Sequence, residues 1–233
     1  MKTIGLLGGM TWHSTVDYYR LINAGIQARL GGSHSAQCIL YSLEFAEVEA
    51  RQNAGEWDAL ARLMVEAARR VERAGAEFLV ICANTMHQMA GTIEAALSIP
   101  LLHIADAAAG EIRRQGLQTV GLLGTRYTME QDFYRNRLEK QHGLSTLIPG
   151  EEERKVVHDI IFRELSRGII SEASRDAYKS VIRNLQARGA EGVILGCTEI
   201  PLLIRPEDYP MPLFDTTALH AAAAVEWSIG KQS

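Results

Sequence analysis

The sequence predicts an α/β protein made of two similar parallel-sheet halves, and three observations carry that reading. Apolar, strand-like runs alternate with helical patterns along the 233 residues, the arrangement expected of parallel sheets with helices on both faces. The chain also repeats itself. Thr3-Ile4-Gly5-Leu6-Leu7-Gly8 matches Thr119-Val120-Gly121-Leu122-Leu123-Gly124 at an offset of 116 residues, and Gly75-Ala76-Glu77 with its strand matches Gly189-Ala190-Glu191 at 114. Ile99-Pro100-Leu101 resembles Met211-Pro212-Leu213 at 112. Finally, 47% hydrophobic and 22% charged residues describe an ordinary globular chain with enough apolar material for two small cores. The expected domains are residues 1–104 with a return at about 216–233, and residues 105–215. Two such units related by duplication would face each other across a cleft, with the carboxyl ends of both sheets aimed at an active site there.

Each element follows from its pattern. Ile4 to Leu7 reads as a first strand, Gly8-Gly9 as a turn and Ser14 as a helix N-cap, with Val16, Tyr19, Ile22 and Ile26 at helical spacing behind it. A strand around Cys38 to Leu43 precedes a helix on which Trp57, Leu60, Met64, Ala68 and Val71 keep the 3–4 period. Phe78 to Ile81 is a buried strand with a polar stop at Asn84-Thr85, and Pro100 to His103 is another strand. In the second half, Val120 to Leu123, Val193 to Leu195 and Pro212 to Phe214 read as strands. Helices are expected near 130–141, 152–166 and 172–187, the second opening with the acidic turn Glu151-Glu152-Glu153 that the helix dipole favours.

Composition excludes several classes of function. Twenty-four Lys and Arg against 28 Asp and Glu give a net charge of −4 with no basic stripe, so nucleic acid is not an expected partner. The N-terminal apolar stretch breaks at Gly8-Gly9 and lacks a cleavage signal, and no run approaches the ~20 residues of a membrane span. Three cysteines at 38, 82 and 197 make neither a disulfide framework nor a metal cluster. His13, His34, His103, His142, His158 and His220 show no ligand spacing. The expectation is a cytoplasmic protein with no metal and no membrane association.

The repeat points to where chemistry could sit. Cys82-Ala83-Asn84-Thr85 lies opposite Gly196-Cys197-Thr198-Glu199 under the 114 offset. Both follow a buried strand, where unpaired N–H groups and a helix start favour an anion and tend to lower a thiol's pKa. Cys197 is therefore the first choice for a reactive group, with an inert buried cysteine as the competing reading. Cys38, inside a continuous apolar strand, reads as core. Gly8-Gly9 and Gly124-Thr125 serve as β-to-α turns, since the G-x-G-x-x-G spacing of a nucleotide site is absent. Trp12 and Tyr127 fit either a substrate wall or core packing.

Together, GLLGGM at the start, Asn84-Thr85-Met86-His87 after a central strand, and Gly196-Cys197-Thr198-Glu199 after its repeat partner resemble the cofactor-independent aspartate/glutamate racemases over essentially the whole chain. The resemblance implies inversion of an amino acid's α-carbon by two cysteines on opposite faces, without pyridoxal phosphate or metal, commonly in a homodimer. It makes Cys197 the second catalytic cysteine, with Thr198 and Glu199 beside it. Asn84 and Thr85 become holders of the α-carboxylate and His87 a support for their loop. Met10, Thr125 and Thr128 become substrate-lining positions.

The departure from the pattern is specific. The family's first motif reads Cys-Asn-Thr, whereas this chain reads Ala83-Asn84-Thr85, and the repeat independently pairs Cys197 with Ala83. A methyl group carries no proton. Cys82 is one residue away, but strand neighbours point to opposite faces, so it is expected to pack behind the sheet. Three readings follow: a racemase in which water or Cys82 replaces the second base, a one-thiol isomerase or decarboxylase, or a catalytically silent amino-acid-binding protein. The cations that the family uses for a second substrate carboxylate would fall near Glu47 and Ser166, with Arg51, Gln52, Arg163 and Arg167 close by. This predicts relaxed or non-acidic specificity.

Overall fold

The computed structural model describes residues 1–205 and 209–230. Eight strands and eleven α-helices follow one another among these residues. The first half runs β1 (Ile4–Gly8), α1 (Trp12–Leu30), β2 (Cys38–Ser42), α2 (Phe45–Ala54), α3 (Trp57–Arg73), β3 (Phe78–Ile81), α4 (Ala90–Glu94) and β4 (Leu101–Leu102), with a 3-10 turn at Thr85–Met89. The second runs α5 (Ile104–Arg114), β5 (Thr119–Gly124), α6 (Arg126–Glu130), α7 (Asp132–His142), β6 (Ser145–Leu147), α8 (Glu151–Arg163), α9 (Glu172–Ala187), β7 (Gly192–Gly196), α10 (Ile200–Leu203), β8 (Leu213–Asp215) and α11 (Thr216–Ile229).

The chain forms two compact units, Met1–His103 with the segment from His220 onward, and Ile104–Leu219. Each holds a four-stranded parallel sheet, ordered β2-β1-β3-β4 in one and β6-β5-β7-β8 in the other. The registers obey the sequence repeat. Leu7 pairs with Ile81 as Leu123 pairs with Leu195, and Leu79 pairs with Leu101 as Val193 pairs with Leu213.

Alternation of side chains splits each core into two layers. In the first unit Leu79, Ile81 and Ala83 share a cluster with Leu60, Met64 and Val71 of α3. Phe78, Val80 and Cys82 face the other way, against Tyr18, Ile22 and Ile26 of α1 and Ala221, Ala224 and Val225 of α11. In the second unit Val193, Leu195 and Cys197 pack with α8 and α9, and Ile194 packs with α5 and α7.

Several expectations need correction. Thr11, not Ser14, is the N-cap of α1, and Ser14 lies inside the helix. The helix buries Tyr18, Ile22 and Ile26, while Val16 and Tyr19 are exposed; a period of 3–4 allows two adjacent stripes, and the pattern read from Val16 chose a line that drifts off the buried one. Cys38 is only half-buried because β2 is an edge strand. The helix expected at 130–141 is α7, preceded by a separate short α6. Trp12 is 61% exposed and stacks on His13, with centroids 3.8 Å apart, so it is not core.

Candidate active site

In the second unit the site grows from the ends of β5 and β7. Gly124 and Gly196 are paired in register, and a Cβ on Gly196 would stand 2.7 Å from the Leu123 carbonyl oxygen. Only glycine permits so close an approach, which delivers Thr125 and Cys197 from adjacent strands at the same sheet edge. Thr125 caps α6, its Oγ1 accepting from the Thr128 N–H at 3.3 Å. Thr128 is fully buried and its hydroxyl lies 3.3 Å from that of Thr125.

Cys197 and Glu199 are both buried. The Cys197 thiol donates to Glu199 Oε2 across 3.0 Å, and the Thr198 hydroxyl donates to the same oxygen across 2.8 Å. This corrects the expectation of a lowered thiol pKa. Burial, then the Glu199 charge and its hydrogen bond, push Cys197 well above the usual thiol range. The carboxylate two residues on, which stabilises S–H and repels S⁻, outweighs backbone N–H donation. At rest the pair is a neutral thiol on a carboxylate.

In the first unit the corresponding edge carries Met10, Ala83, Asn84, Thr85 and His87. Gly9 turns the chain after β1 with φ of 90°, and a Cβ there would meet the Leu43 carbonyl oxygen at 2.2 Å. Its N–H donates to Thr15 Oγ1 at 2.8 Å. Met10 is buried in the same cluster as Ala83 and Met86. Asn84 and Thr85 are buried where β3 gives way to the 3-10 turn. His87 Nδ1 lies 2.8 Å from the Ala83 carbonyl oxygen, so it is the protonated nitrogen and fixes the loop's backbone at position 83.

Cys82 is wholly buried behind the sheet, among Val80, Tyr18 and Ala221. Burial pushes its thiol far above the ordinary range. Ala83 and Cys82 thus face different layers, as strand alternation demands.

Sequence reading left a buried polar cluster unnoticed. His87 lies near His103 and His220, with ring centroids 4.5 and 5.7 Å away. His220 Nε2 donates to the Leu102 carbonyl oxygen at 2.9 Å, which leaves its Nδ1 to accept from the Tyr18 hydroxyl at 2.8 Å. His103 directly follows β4, a carboxyl-edge position that could have flagged it. His220 has no such signal, because it is 118 residues from its carbonyl partner. Among the described residues no group of three or more His, Cys, Asp or Glu could hold a metal ion. No described helix is long and apolar enough to cross a membrane.

Of the cations near the positions that the resemblance assigns to a second carboxylate, Arg51 and Arg163 stand in ion pairs. Arg51 pairs with Glu47 at 2.9 Å and with Glu56 at 3.6 Å. Arg163 lies 3.5 Å from Asp159, and the Ser166 hydroxyl donates to the Phe162 carbonyl oxygen. Gln52 is buried, and Arg167 ends a 3-10 turn.

Two similar units, each a four-stranded parallel sheet with flanking helices, define a class of α/β protein that solved relatives share. The chain belongs to the Asp/Glu/Hydantoin racemase family, whose members match residues 7–224. It is 53% identical to a Yersinia pestis protein proposed to be an Asp/Glu racemase, with a TM-score of 0.93 over 99% of this chain and 100% of that one. An aspartate racemase homologue from Pyrococcus horikoshii is 34% identical, with a TM-score of 0.84 over the same shares. The broad-specificity amino-acid racemase RacX of Bacillus subtilis is 23% identical over 99% of this chain and 100% of its own length.

Proposed function

We propose that the chain is a cofactor-independent amino-acid racemase in which Cys197 is the only thiol that acts on the α-carbon. The observation that carries this reading is the Cys197–Glu199 hydrogen bond. A neutral thiol becomes a base when its proton has somewhere to go, and Glu199 is within hydrogen-bond reach.

The steps balance as follows. The Cys197 proton moves to Glu199 as sulfur takes the substrate's α-proton, and the Cα–H electron pair remains on carbon as a carbanion. Asn84 and Thr85 hold the α-carboxylate over which that charge spreads. Protonation on the second face comes from water, because the position equivalent to Cys197 is Ala83. The resulting hydroxide is neutralised by the proton parked on Glu199. The thiol and carboxylate return to their resting state.

Ala83 also favours a second reading, a one-thiol isomerase or decarboxylase that works on one face only. Incubating single antipodes of aspartate, glutamate, alanine and homoserine in heavy water separates the two. The racemase reading expects α-hydrogen exchange accompanied by slower inversion, both lost in Cys197→Ala. Exchange without inversion would transfer the protein to the one-face reading. Binding with neither signal would make it an amino-acid-binding protein.

A further inference from the structure

We infer that His220 is a positioning residue for this site. Through His103 and His87 it holds the backbone of the loop that carries Asn84 and Thr85, a role that rests on the racemase reading for what that loop binds.

The contacts lead from α11 to the loop. His220 Nε2 donates to the carbonyl oxygen of Leu102, the last residue of β4, at 2.9 Å. His103 follows at once, and its ring stands 4.5 Å from that of His87 at an angle of 62°. The His220 ring is itself 5.7 Å from that of His87, at 63°. His87 Nδ1 donates to the Ala83 carbonyl oxygen at 2.8 Å, and the His87 backbone N–H to that of Asn84 at 3.0 Å. Tyr18 holds the far end, its hydroxyl donating to His220 Nδ1 at 2.8 Å.

All of these side chains are buried. The carbonyls of Leu102 and Ala83 lie at strand ends, where a buried acceptor needs a donor that the sheet no longer supplies. An imidazole N–H points along one direction in the ring plane, so each bond fixes the ring together with the carbonyl. A paired polar network of this kind specifies one arrangement, where apolar side chains of similar volume tolerate several.

The internal repeat supplies the control. At its offsets of 116, 114 and 112 residues, Tyr18 corresponds to Tyr134, His87 to Pro201, His103 to Asp215 and His220 to Ala108. Tyr134 and Ala108 are fully buried in one cluster with Leu138 and Ile112, as Tyr18 is buried with Ile22 and Ala224. The same helical layer is thus built in the second unit without a histidine. There the Tyr134 hydroxyl has no hydrogen-bond partner among the described residues. The tyrosine therefore belongs to the fold, whereas the three histidines belong to the unit whose loop carries Asn84 and Thr85.

His220→Ala installs the residue that the repeat already accommodates, so the protein is expected to fold. Calorimetric dissociation constants for aspartate and for alanine should both rise about tenfold, the size of one weakened hydrogen bond to a charged group. Michaelis constants should follow, with kcat within about twofold, because the α-carboxylate is held alike in the ground and transition states. His220→Gln can donate to Leu102 and accept from Tyr18, and should recover most of the affinity. In the ligand-free protein, hydrogen exchange read by mass spectrometry should quicken in a peptide spanning residues 83–89 of His220→Ala and keep its wild-type rate in β1 and α3. A lower unfolding midpoint with unchanged affinity and loop exchange would make His220 a packing residue and overturn the assignment. Equal losses in His220→Gln and His220→Ala, or a fall in kcat alone, would overturn it too. If His220→Ala weakens amino-acid binding while the wild type exchanges no α-hydrogen, the positioning role stands and the racemase reading falls. If aspartate or alanine exchanges through Cys197 and His220→Ala changes neither affinity nor loop exchange, the reverse holds.

Discussion

Cys197 Sγ and Glu199 Oε2 are 3.0 Å apart, with the thiol donating and the carboxylate accepting. The two residues are next-nearest neighbours on the chain, and the turn after β7 brings them together without any long-range contact. Burial and the Glu199 charge hold the proton on sulfur. Glu199→Gln removes the negative charge that favours the thiol and leaves an uncharged amide, a weaker acceptor with no basic oxygen. The Cys197 pKa should therefore fall, and iodoacetamide should alkylate it at pH 7.5 faster than in the wild type, in proportion to the thiolate fraction. Substrate α-hydrogen exchange should move the other way, falling about 100-fold or more as the proton acceptor disappears. Parallel changes in both rates would mean that Glu199 only shapes the loop.

The difference between the two halves at positions 83 and 197 can be tested by restoring symmetry. Ala83 shares a layer with Leu79 and Ile81, as Cys197 does with Val193 and Leu195. A thiol at 83 would therefore leave the strand end on the same side as the thiol it mimics. Ala83→Cys should raise the ratio of inversion to exchange by about tenfold or more, at the low end of what one positioned acid/base group supplies. Polarimetry and proton NMR on the same heavy-water reaction give the ratio directly.

Cys82 should be catalytically silent despite its place beside Ala83 in sequence. It sits in the layer of Tyr18, Val80 and Ala221, wholly buried, with its thiol pushed up by that burial. Cys82→Ala should leave exchange and inversion unchanged. It should cost about 1–2 kcal/mol in urea unfolding, for one deleted core atom and the small void it leaves. A loss of turnover larger than the loss of folded protein would restore Cys82 as the second base.

Much of this was legible in the sequence because duplication writes the same register twice. Leu7 with Ile81 and Leu123 with Leu195 follow from two short matches and an offset. The fate of Cys82 against Ala83 needed only the period of a strand. What stayed hidden depends on contacts that periodicity does not encode. Tyr18 meets His220 across 202 residues, and nothing in either segment announces the other. The direction of the Cys197 pKa differs from the expectation because the strand-end rule counts backbone donors and ignores burial, the larger cause, and Glu199.

Asp106 sets a stability limit on the acid side. It opens α5 and takes a bidentate pair from Arg137, at 2.6 and 2.7 Å, and a third bond from His142 Nε2 at 2.8 Å. Burial pushes its carboxyl up, but the bonds and charges of Arg137 and His142 together outweigh that and leave its pKa below the ordinary value. The folded state therefore binds this proton less readily than the unfolded chain. The contribution is present in full above the unfolded carboxyl's pKa and is lost as pH falls through the lower, folded value. Asp106→Asn keeps the shape but removes the charge. It should cost about 1–2 kcal/mol at pH 7, the pair's partial exposure keeping the loss below that of a fully buried one. The difference between mutant and wild type should shrink as pH drops through the folded Asp106 pKa. Urea midpoints measured from pH 7 down to about pH 2, well below the intrinsic carboxyl value of about 3.9, provide the check. A mutant deficit that stays constant over that range would show that the carboxylate's charge plays no part in holding α5 to α7.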